Sequence, residues 1–297
     1  MASAQRLVGR DSHREARRAL LAWFRADGPA YPWRTTERDP YSVLVSEVML
    51  QQTQASRVAE AFPGFMERFP DVRTLAAASR ADVLRAWGGL GYARRAVALQ
   101  EATRCIVRDR GGVVPSDVAA LMELPGIGPY TAAAVASIAF GAPVAAVDTN
   151  VRKVVARLAF GCEPDELAAA DIADAAAWWL PHEQPGNWNQ AVMNLGREVC
   201  RPTPRCDVCP LAQACRFRAS GRAGRRSGRT QPAFEGSMRQ ARGGVLRELR
   251  GRDRAATIHA IAAALGLPLP RVDLAVDALE RDGLVQRTDS GRVRLAR

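Results

Sequence analysis

Lysine is almost absent from this basic chain of 297 residues. Lys153 is the only lysine, so nearly all of the positive charge is carried by arginine. Chemistry that requires a lysine amine can therefore come from a single position. Long apolar runs are also lacking, since none approaches the roughly 20 residues that a membrane-spanning helix needs. Residues 1–18 lack the apolar centre of a signal peptide. We therefore expect a cytoplasmic protein with no membrane partner.

Cysteine is scarce as well, and its six copies are unevenly distributed. In the cytoplasm they should be reduced, so a cluster of four is more typical of a metal centre than of disulfides. Zinc and an iron-sulfur cluster are both compatible with the spacing, and a single Cys-x2-Cys pair mildly favours the iron-sulfur cluster. Cys105 and Cys162 lie outside this group and are expected to be small buried residues. The four candidate ligands are Cys200, Cys206, Cys209 and Cys215.

The composition is that of a globular protein with an unusual charge. Hydrophobic residues make up 47% and charged residues 25% of the chain, which is ordinary for a soluble domain. The net charge of +11 and the pI near 10.3 indicate an anionic partner, and nucleic acid is the commonest one. At this length we expect two or three domains.

The stretch from Leu121 to Asp148 contains the strongest local pattern. Apolar spacing predicts a short helix from Asp117 to Leu124, which Pro125-Gly126 ends. Gly128-Pro129 then allows a second helix to begin near Tyr130, because glycine adopts unusual backbone angles and proline is tolerated in a first helical turn. Outward N-H groups at such a hairpin would bind a phosphate whatever the base sequence. The alternative is an ordinary helix corner.

Glu47 is a conspicuous residue in a helix predicted from Tyr41 to Gln54. Its apolar neighbours place the carboxyl group at the edge of the core, where burial would raise its pKa. A carboxyl group that is partly protonated near neutral pH can donate a proton to a leaving group. The alternative is a solvated or cap-pairing glutamate. The apolar neighbours are Val43, Leu44, Met49 and Leu50.

These motifs together resemble a known superfamily. LPGIGPYTA at residues 124–132, followed by Asp148 and the four cysteines, is similar to the helix-hairpin-helix DNA glycosylases, and SEVMLQQTQ at Ser46–Gln54 is similar to the MutY family of adenine glycosylases. The resemblance covers roughly residues 30–216. It implies an all-α, two-lobed fold with a [4Fe-4S] cluster on the four cysteines. It also implies a nucleoid-associated monomer whose partner is double-stranded DNA containing an adenine mispair.

The resemblance also implies catalytic roles. Removal of adenine leaves a cation-like sugar and an electron-rich base, so one protonated carboxyl group and one ionised carboxylate are needed. Glu47 matches the catalytic acid of the family, and Asp148 matches the carboxylate that stabilises the sugar. Asn150 would orient that carboxylate or the water, and Tyr130 would contact the sugar or Asp148. From the sequence alone, Asp148 or Asn150 also fits the N-cap of the helix that follows.

Further positions match DNA-contacting residues of the family. Gln51 and Gln52 are expected near the lesion, and Tyr92 in the Gly88–Tyr92 loop is expected to wedge into the base stack. The full set of predicted DNA contacts is Gln51, Gln52, Tyr92, Leu124, Gly126, Gly128 and Arg34.

Several departures from the family qualify this interpretation. Ala93 replaces a second tyrosine, Thr149 replaces a common glycine, and the first cysteine interval is one residue short. Bifunctional relatives carry a lysine nucleophile where this chain has Tyr130, so we expect no dedicated lyase activity.

The predicted domains also depart from the family at the C-terminus. We predict an iron-sulfur lobe at 1–29 and 146–216, a six-helix lobe at 30–145, and a basic linker at 217–235. Three helices and a hairpin at 236–297 predict a winged-helix-like domain, too short for the Nudix-like domain that reads oxidised guanine in many relatives. This tail is interpreted either as a structural cap or as a DNA-binding module. Two other functions stay open, a thymine or uracil mismatch glycosylase and a non-catalytic DNA-binding protein.

Overall fold

The computed structural model describes residues 10–34, 38–225 and 233–297. Helices dominate this part of the chain, as the all-α prediction requires, and its one sheet has two short strands. No single helix among the described residues is long and apolar enough to cross a membrane, although the bent pair Ile258–Leu265 and Leu269–Arg281 passes by length and composition when taken together.

The helices follow one another through short connections. In chain order they are α1 (Arg10–Asp27), α2 (Pro40–Leu50), α3 (Ala55–Arg68), α4 (Val72–Ala77), α5 (Arg80–Trp87), α6 (Arg94–Arg110), α7 (Val118–Met122), α8 (Pro129–Phe140), α9 (Thr149–Val155), α10 (Ala169–Trp179), α11 (Pro185–Glu198), α12 (Arg216–Ala219), α13 (Met238–Arg250), α14 (Ile258–Leu265) and α15 (Leu269–Arg281). The strands are β1 (Val285–Arg287) and β2 (Val293–Leu295). A π-helical turn at Ala156–Phe160 and 3-10 turns at Gly88–Leu90 and Pro164–Glu166 complete the regular structure.

The described residues divide into two compact units. Each unit is formed by parts of the chain that are separated in the sequence. The domain boundaries predicted from the sequence stay a prediction. The first unit comprises residues 10–44, Ser116–Glu123 and residues 127–225. The second unit comprises Val45–Pro115, Leu124–Gly126 and residues 233–297.

The core of the first unit forms around α11. This helix packs against α1, α8 and α9, and α9 also packs against α10. Trp179 and Trp188 are buried in an edge-to-face pair with ring centroids 5.3 Å apart. Such a pair adds about 1 kcal/mol to the burial of its large apolar surface. Both tryptophans therefore serve the packing of this unit.

The second unit contains α3 to α6 and the C-terminal elements. Its central side chain is Trp87, which is fully buried and lies edge-on to Phe65 with ring centroids 6.0 Å apart. One predicted helix end is wrong in this region, because the helix of Glu47 ends at Leu50 rather than Gln54. Further along the chain, α6 begins at Arg94, just after Tyr92. A residue with positive φ lies next to each of these helix ends, Gln52 at 54° and Tyr92 at 47°.

The C-terminal elements occur in the predicted order of three helices and a hairpin. β1 and β2 are antiparallel, with Val285 opposite Leu295, and an isolated bridge joins Ala256 to Val293. Helix α13 contacts α5 and the Gly88–Leu90 turn, and Arg85 donates a 3.4 Å hydrogen bond to the carbonyl of Arg252. These contacts support the interpretation of the tail as a structural cap.

Charged side chains join α15 to β1. Asp273, Asp277 and Glu280 on this helix each pair with Arg287 of β1. These ion pairs hold the hairpin against the helix, and the DNA-binding interpretation of the tail stays a prediction.

Candidate active site and cofactor cysteines

Asp148 is the N-cap of α9 in the first unit. Its Oδ1 accepts a 2.7 Å hydrogen bond from the Val151 N-H, and its Oδ2 accepts a 2.9 Å hydrogen bond from the Asn150 side chain. The capping role considered from the sequence is therefore confirmed for Asp148. The same two bonds fix both oxygens of the carboxylate, so its orientation is set before any substrate arrives.

The protonation of Asp148 reflects two opposing influences. Burial raises the pKa of Asp148, because a charged carboxylate is poorly solvated there. The N-H of Val151 and the amide of Asn150 lower it, and the charge of Lys153 adds a smaller effect in the same direction. The prediction of an ionised carboxylate at Asp148 from the sequence did not include this burial.

A glycine on α11 fixes the position of Asn150. A Cβ atom on Gly196 would lie 2.6 Å from the Asn150 Cβ and 2.9 Å from its carbonyl oxygen. Such distances are far below normal van der Waals contact, so only glycine permits this approach of α11 to α9. Sequence reasoning missed Gly196, although an isolated glycine inside a helical pattern is a recognised sign of close packing.

Tyr130 lies in the first turn of α8, which begins at Pro129 as proline at the first helical position favours. Its side chain is half-buried, and its hydroxyl donates a 3.4 Å hydrogen bond to the Met193 sulfur. Gly128 is the N-cap of α8 and is exposed. The N-H groups in the first turn of α8, which have no partner within the helix, therefore follow an exposed residue of the first unit.

Arg34 is built into the first unit by several contacts. Its guanidinium donates 2.9 Å hydrogen bonds to the Pro29 carbonyl and to the buried Asn194 Oδ1. It also lies 5.1 Å from the ring centroid of Phe24 and 4.9 Å from that of Tyr31. Both terminal nitrogens are thus used within the fold, and the predicted DNA contact of Arg34 stays a prediction.

Glu47 belongs to the second unit, on the last turns of α2. Its side chain is only 5% exposed, and the neighbouring Ser46, Val48 and Met49 are also buried. This burial rules out the solvated glutamate considered from the sequence. Carboxyl groups buried in an apolar helix occur more often at functional sites than on ordinary helix faces, which is consistent with a functional role for Glu47.

The second unit also presents the predicted lesion contacts. Gln52 is exposed, Gln51 is half-buried, and Tyr92 is 50% exposed. The large exposed ring of Tyr92 is suited to stacking. The backbone carbonyls of Gln51 and Gly91, which precede Gln52 and Tyr92, accept hydrogen bonds from Arg95. Sequence reasoning missed Arg95.

Leu124 and Gly126 complete the predicted contacts of the second unit. The Leu124 side chain is buried, so a contact with DNA would have to use its backbone. Gly126 is exposed and has a φ of 76°, and a Cβ atom there would lie 2.6 Å from the Ala98 Cβ. Glycine is required at this position for both reasons.

The four cysteine thiols form a half-buried group in the first unit. The charge of each of the other three acts on Cys209, whose pKa is raised to about 12, mainly by burial. The Cys200 sulfur accepts a 3.6 Å hydrogen bond from Arg157, and the Cys215 thiol donates a 3.7 Å hydrogen bond to the Arg157 carbonyl. Arg157 is fully buried and pairs with Glu163 at 2.7 Å.

These cysteines leave both metal alternatives open. Within the described ranges, no three His, Cys, Asp or Glu side chains are placed to bind one metal ion. Zinc and an iron-sulfur cluster therefore both stay predictions for the four cysteines.

The sequence and fold define a class of protein. A family model described as HhH-GPD superfamily base excision DNA repair protein matches residues 45–175. A thermostable thymine-DNA glycosylase superposes with a TM-score of 0.65 and 28% identity, covering 71% of this chain and 98% of that one. An endonuclease III trapped with DNA gives a TM-score of 0.61 and 25% identity over 72% of this chain and 99% of its own.

Curated relatives define the family more narrowly. The adenine DNA glycosylase of Mycolicibacterium smegmatis is 42% identical over 93% of this chain and 94% of its own length. That of Mycobacterium tuberculosis is 43% identical over 93% of this chain and 92% of its own length. The human adenine DNA glycosylase is 41% identical over 68% of this chain, which corresponds to 39% of the human protein. The chain belongs to the adenine DNA glycosylase family.

Proposed function

We propose that this protein is a monofunctional enzyme of base excision repair that hydrolyses the N-glycosidic bond of adenine paired with 8-oxoguanine or guanine. The observation that carries this proposal is the presence of two carboxyl groups, one in each unit, in a chain of the adenine DNA glycosylase family. Glu47 is buried on α2, and Asp148 is fixed by two hydrogen bonds at the start of α9. These are the two groups that N-glycosidic cleavage requires.

The reaction assigns a separate task to each carboxyl group. Glu47 donates a proton to a ring nitrogen of adenine, so that the base accepts the electron pair of the breaking bond. Asp148 stabilises the positive charge that develops on the sugar, and Asn150 keeps its carboxylate in position. Water then adds to the sugar and releases a proton, so the products are free adenine and an abasic site. Flipping the base out of the duplex precedes these steps.

The scarcity of lysine supports a hydrolytic enzyme without lyase activity. Lys153 is the sole lysine, and it lies on α9 beyond Asp148 rather than at Tyr130, the position of the lyase nucleophile in related enzymes. Without an amine at position 130, a dedicated lyase reaction through a Schiff base is not expected. Treatment of reaction mixtures with borohydride should therefore trap far less protein–DNA adduct than a dedicated lyase gives.

We also propose a [4Fe-4S] cluster on Cys200, Cys206, Cys209 and Cys215. When bound, the cluster would tie together the loop between α11 and α12. The neighbouring Arg157 donates to the Cys200 sulfur and to the carbonyl of Arg201, and so keeps the loop ordered. Purified protein should show the iron and sulfide content of one cluster, whereas zinc alone would contradict the assignment.

Duplex DNA with an adenine mispair is the proposed substrate, and the enzyme is proposed to act as a cytoplasmic, nucleoid-associated monomer. The charge of +11 favours the phosphate backbone. Exposed Gly126 in one unit, exposed Gly128 in the other, and half-exposed Tyr92 are the candidate contacts. Arg34, Gln51, Gln52 and the backbone of Leu124 complete the set.

A second candidate function is removal of thymine from mismatches, because a thymine-DNA glycosylase is among the similar structures. Single-turnover assays on duplexes with adenine opposite 8-oxoguanine, adenine opposite guanine, and thymine opposite guanine distinguish the two. Alkali added afterwards reveals abasic sites. Cleavage of the adenine strands alone supports the proposal, whereas cleavage of the thymine strand alone contradicts it. Tight binding without cleavage would indicate a non-catalytic DNA-binding protein.

Substitution of the proposed acid tests the mechanism directly. Glu47→Gln keeps the shape of the side chain but removes the proton, so the single-turnover rate should fall by about 10²- to 10⁴-fold while mismatch binding survives. Glu60→Gln, the same change at an exposed site on α3, is the matched control. An unchanged rate in Glu47→Gln would remove Glu47 from its assigned role.

A further inference from the structure

Two strained turns of the second unit carry predicted DNA contacts. Among the described residues, Gln52 and Tyr92 are the non-glycine residues with positive φ. Each side chain is exposed or half-exposed. A side chain in this region of backbone space is disfavoured and persists only when the surrounding structure enforces it. Something in the second unit must therefore hold each turn.

Arg95 contacts both turns with one guanidinium group. Its Nη1 donates hydrogen bonds to the carbonyls of Val48 and Met49, both at 2.9 Å, and to the carbonyl of Gln51. Its Nη2 donates to the Thr53 Oγ1 at 2.8 Å. The last carbonyls of a helix have no partner within the helix, so Arg95 supplies the missing donors where α2 ends.

The same group reaches the second turn. Nη2 donates to the Gly91 carbonyl at 3.2 Å, and that carbonyl also accepts a 3.1 Å hydrogen bond from the Trp87 ring nitrogen. The guanidinium carbon lies 5.3 Å from the Trp87 ring centroid and 5.5 Å from that of Tyr92. Contacts of this kind between a cation and an aromatic ring strengthen when the site is partly dehydrated.

Arginine is suited to this position and lysine is not. The planar guanidinium presents several donors in fixed directions, whereas an ammonium is a compact charge on a flexible stem. Burial lowers the pKa of Arg95 to about 10, so the group stays charged at neutral pH. In the described part of the chain no carboxylate forms an ion pair with it. Its partners are backbone carbonyls, one hydroxyl and two rings.

We propose that Arg95 is a positioning residue that holds the Gln51–Gln52 turn and the Gly91–Tyr92 turn in a fixed arrangement for engaging the DNA around the target base. The proposal rests on the proposed function, because the two turns matter only if their side chains contact DNA. Arg95 itself is turned toward the protein backbone. Its contribution is to the geometry of its neighbours, and through them to the excision step.

Arg95→Lys is the decisive variant, and Arg94→Lys is its control. Arg94 is the preceding residue on α6, is 75% exposed and has only a 3.7 Å ion pair with Asp282 among its described contacts. In Arg95→Lys, amide exchange at Thr53, whose N-H donates to Leu50, should accelerate about tenfold or more without DNA. The single-turnover rate should fall by about 10- to 100-fold, because small displacements near a reacting centre are costly.

The exchange measurement and the excision rate test separate parts of the proposal. Equal exchange at Thr53 in both variants would show that Arg95 does not hold the Gln51–Gln52 turn, whatever the activity. Faster exchange with an unchanged excision rate and duplex affinity would overturn the positioning role. If the wild-type protein cleaves no adenine duplex, the proposed function fails, but exchange at Thr53 still decides whether Arg95 holds the turn. If Arg95→Lys does not fold, Thr53→Val is tested instead, because it removes one acceptor of Arg95. The exchange of the N-H at position 53 and the excision rate are then measured, with smaller expected changes.

Discussion

The start of α9 and the end of α2 both leave backbone groups without helical partners, and the protein satisfies them in different ways. At the start of α9, Asp148 accepts the N-H of Val151, three residues further along the chain. At the end of α2, the carbonyl groups are satisfied by Arg95, which is 44 residues beyond Gln51. One helix end is therefore closed locally and the other by a distant element.

The difference determines which side chains remain available for chemistry. Asp148 serves as a helix cap and as a proposed catalytic carboxylate at once, so its structural and chemical roles are joined in one residue. At the end of α2 the structural role falls to Arg95, while the proposed acid, Glu47, lies one turn earlier. At the start of α9, a substitution of Asp148 therefore acts on the helix cap and on catalysis together. At the end of α2, a substitution of Arg95 acts on the structure and a substitution of Glu47 acts on catalysis.

Within this comparison of the two helix ends, the largest expected effect is at Asp148. Asparagine caps helices as well as aspartate does, so Asp148→Asn should leave the free energy of unfolding within about 0.5 kcal/mol of the wild type. The single-turnover excision rate should fall by about 10²- to 10³-fold, because the charge that stabilises the sugar is lost. Single-turnover assays and urea unfolding measure the two quantities.

Asp117→Asn provides the matched control. Asp117 is the N-cap of α7, where its Oδ1 accepts a 2.8 Å hydrogen bond from Ala120. This variant has the same chemistry at a cap to which no catalytic role is assigned, and its rate should match the wild type. A parallel loss of rate in both variants would mean that capping, not charge at Asp148, controls activity.

The two helix ends also show what the sequence could reveal. The Asp148 cap was predictable because the residue and its partner are three positions apart. The end of α2 was not predictable, because Gln51 and Gln52 continue a helical pattern and the donor lies on another helix. Arg95 follows Arg94 in the sequence, and no local pattern distinguishes the two arginines. The three C-terminal helices and the hairpin followed from periodicity, whereas their packing on α5 depended on contacts between distant segments.

The hairpin glycines test the effect of a long-range contact on stability. Gly126→Ala should destabilise the protein by about 2 to 4 kcal/mol, because its φ of 76° strains alanine and the new methyl group would overlap Ala98. Gly128→Ala should change the unfolding free energy by less than about 1 kcal/mol, since its φ is −90° and no atom lies within 4 Å of the added carbon. Urea unfolding of the two variants measures this difference. Equal losses would mean that the two positions are constrained alike.

The smallest expected effect is the pH dependence of stability at two aspartate caps. Burial raises the pKa of Asp148, whereas the N-H of Thr74 lowers the pKa of Asp71, the exposed cap of α4. Asp148 therefore contributes stability that is present below the ordinary aspartate pKa of about 3.9 and is lost as the pH rises through its raised pKa. Asp71 contributes stability that is present above about pH 3.9 and is lost as the pH falls through its lowered pKa.

The two asparagine variants should consequently diverge from the wild type in opposite directions. As the pH rises from about 3 to 7, the unfolding free energy of the wild type should fall relative to Asp148→Asn and rise relative to Asp71→Asn. Urea titrations across this range measure both differences. A wild type that instead gains stability relative to Asp148→Asn would show that the hydrogen bonds from Val151 and Asn150 outweigh burial. In that event the proposed catalytic carboxylate would be ionised more readily than an ordinary aspartate, and local capping alone would prepare it for the sugar cation.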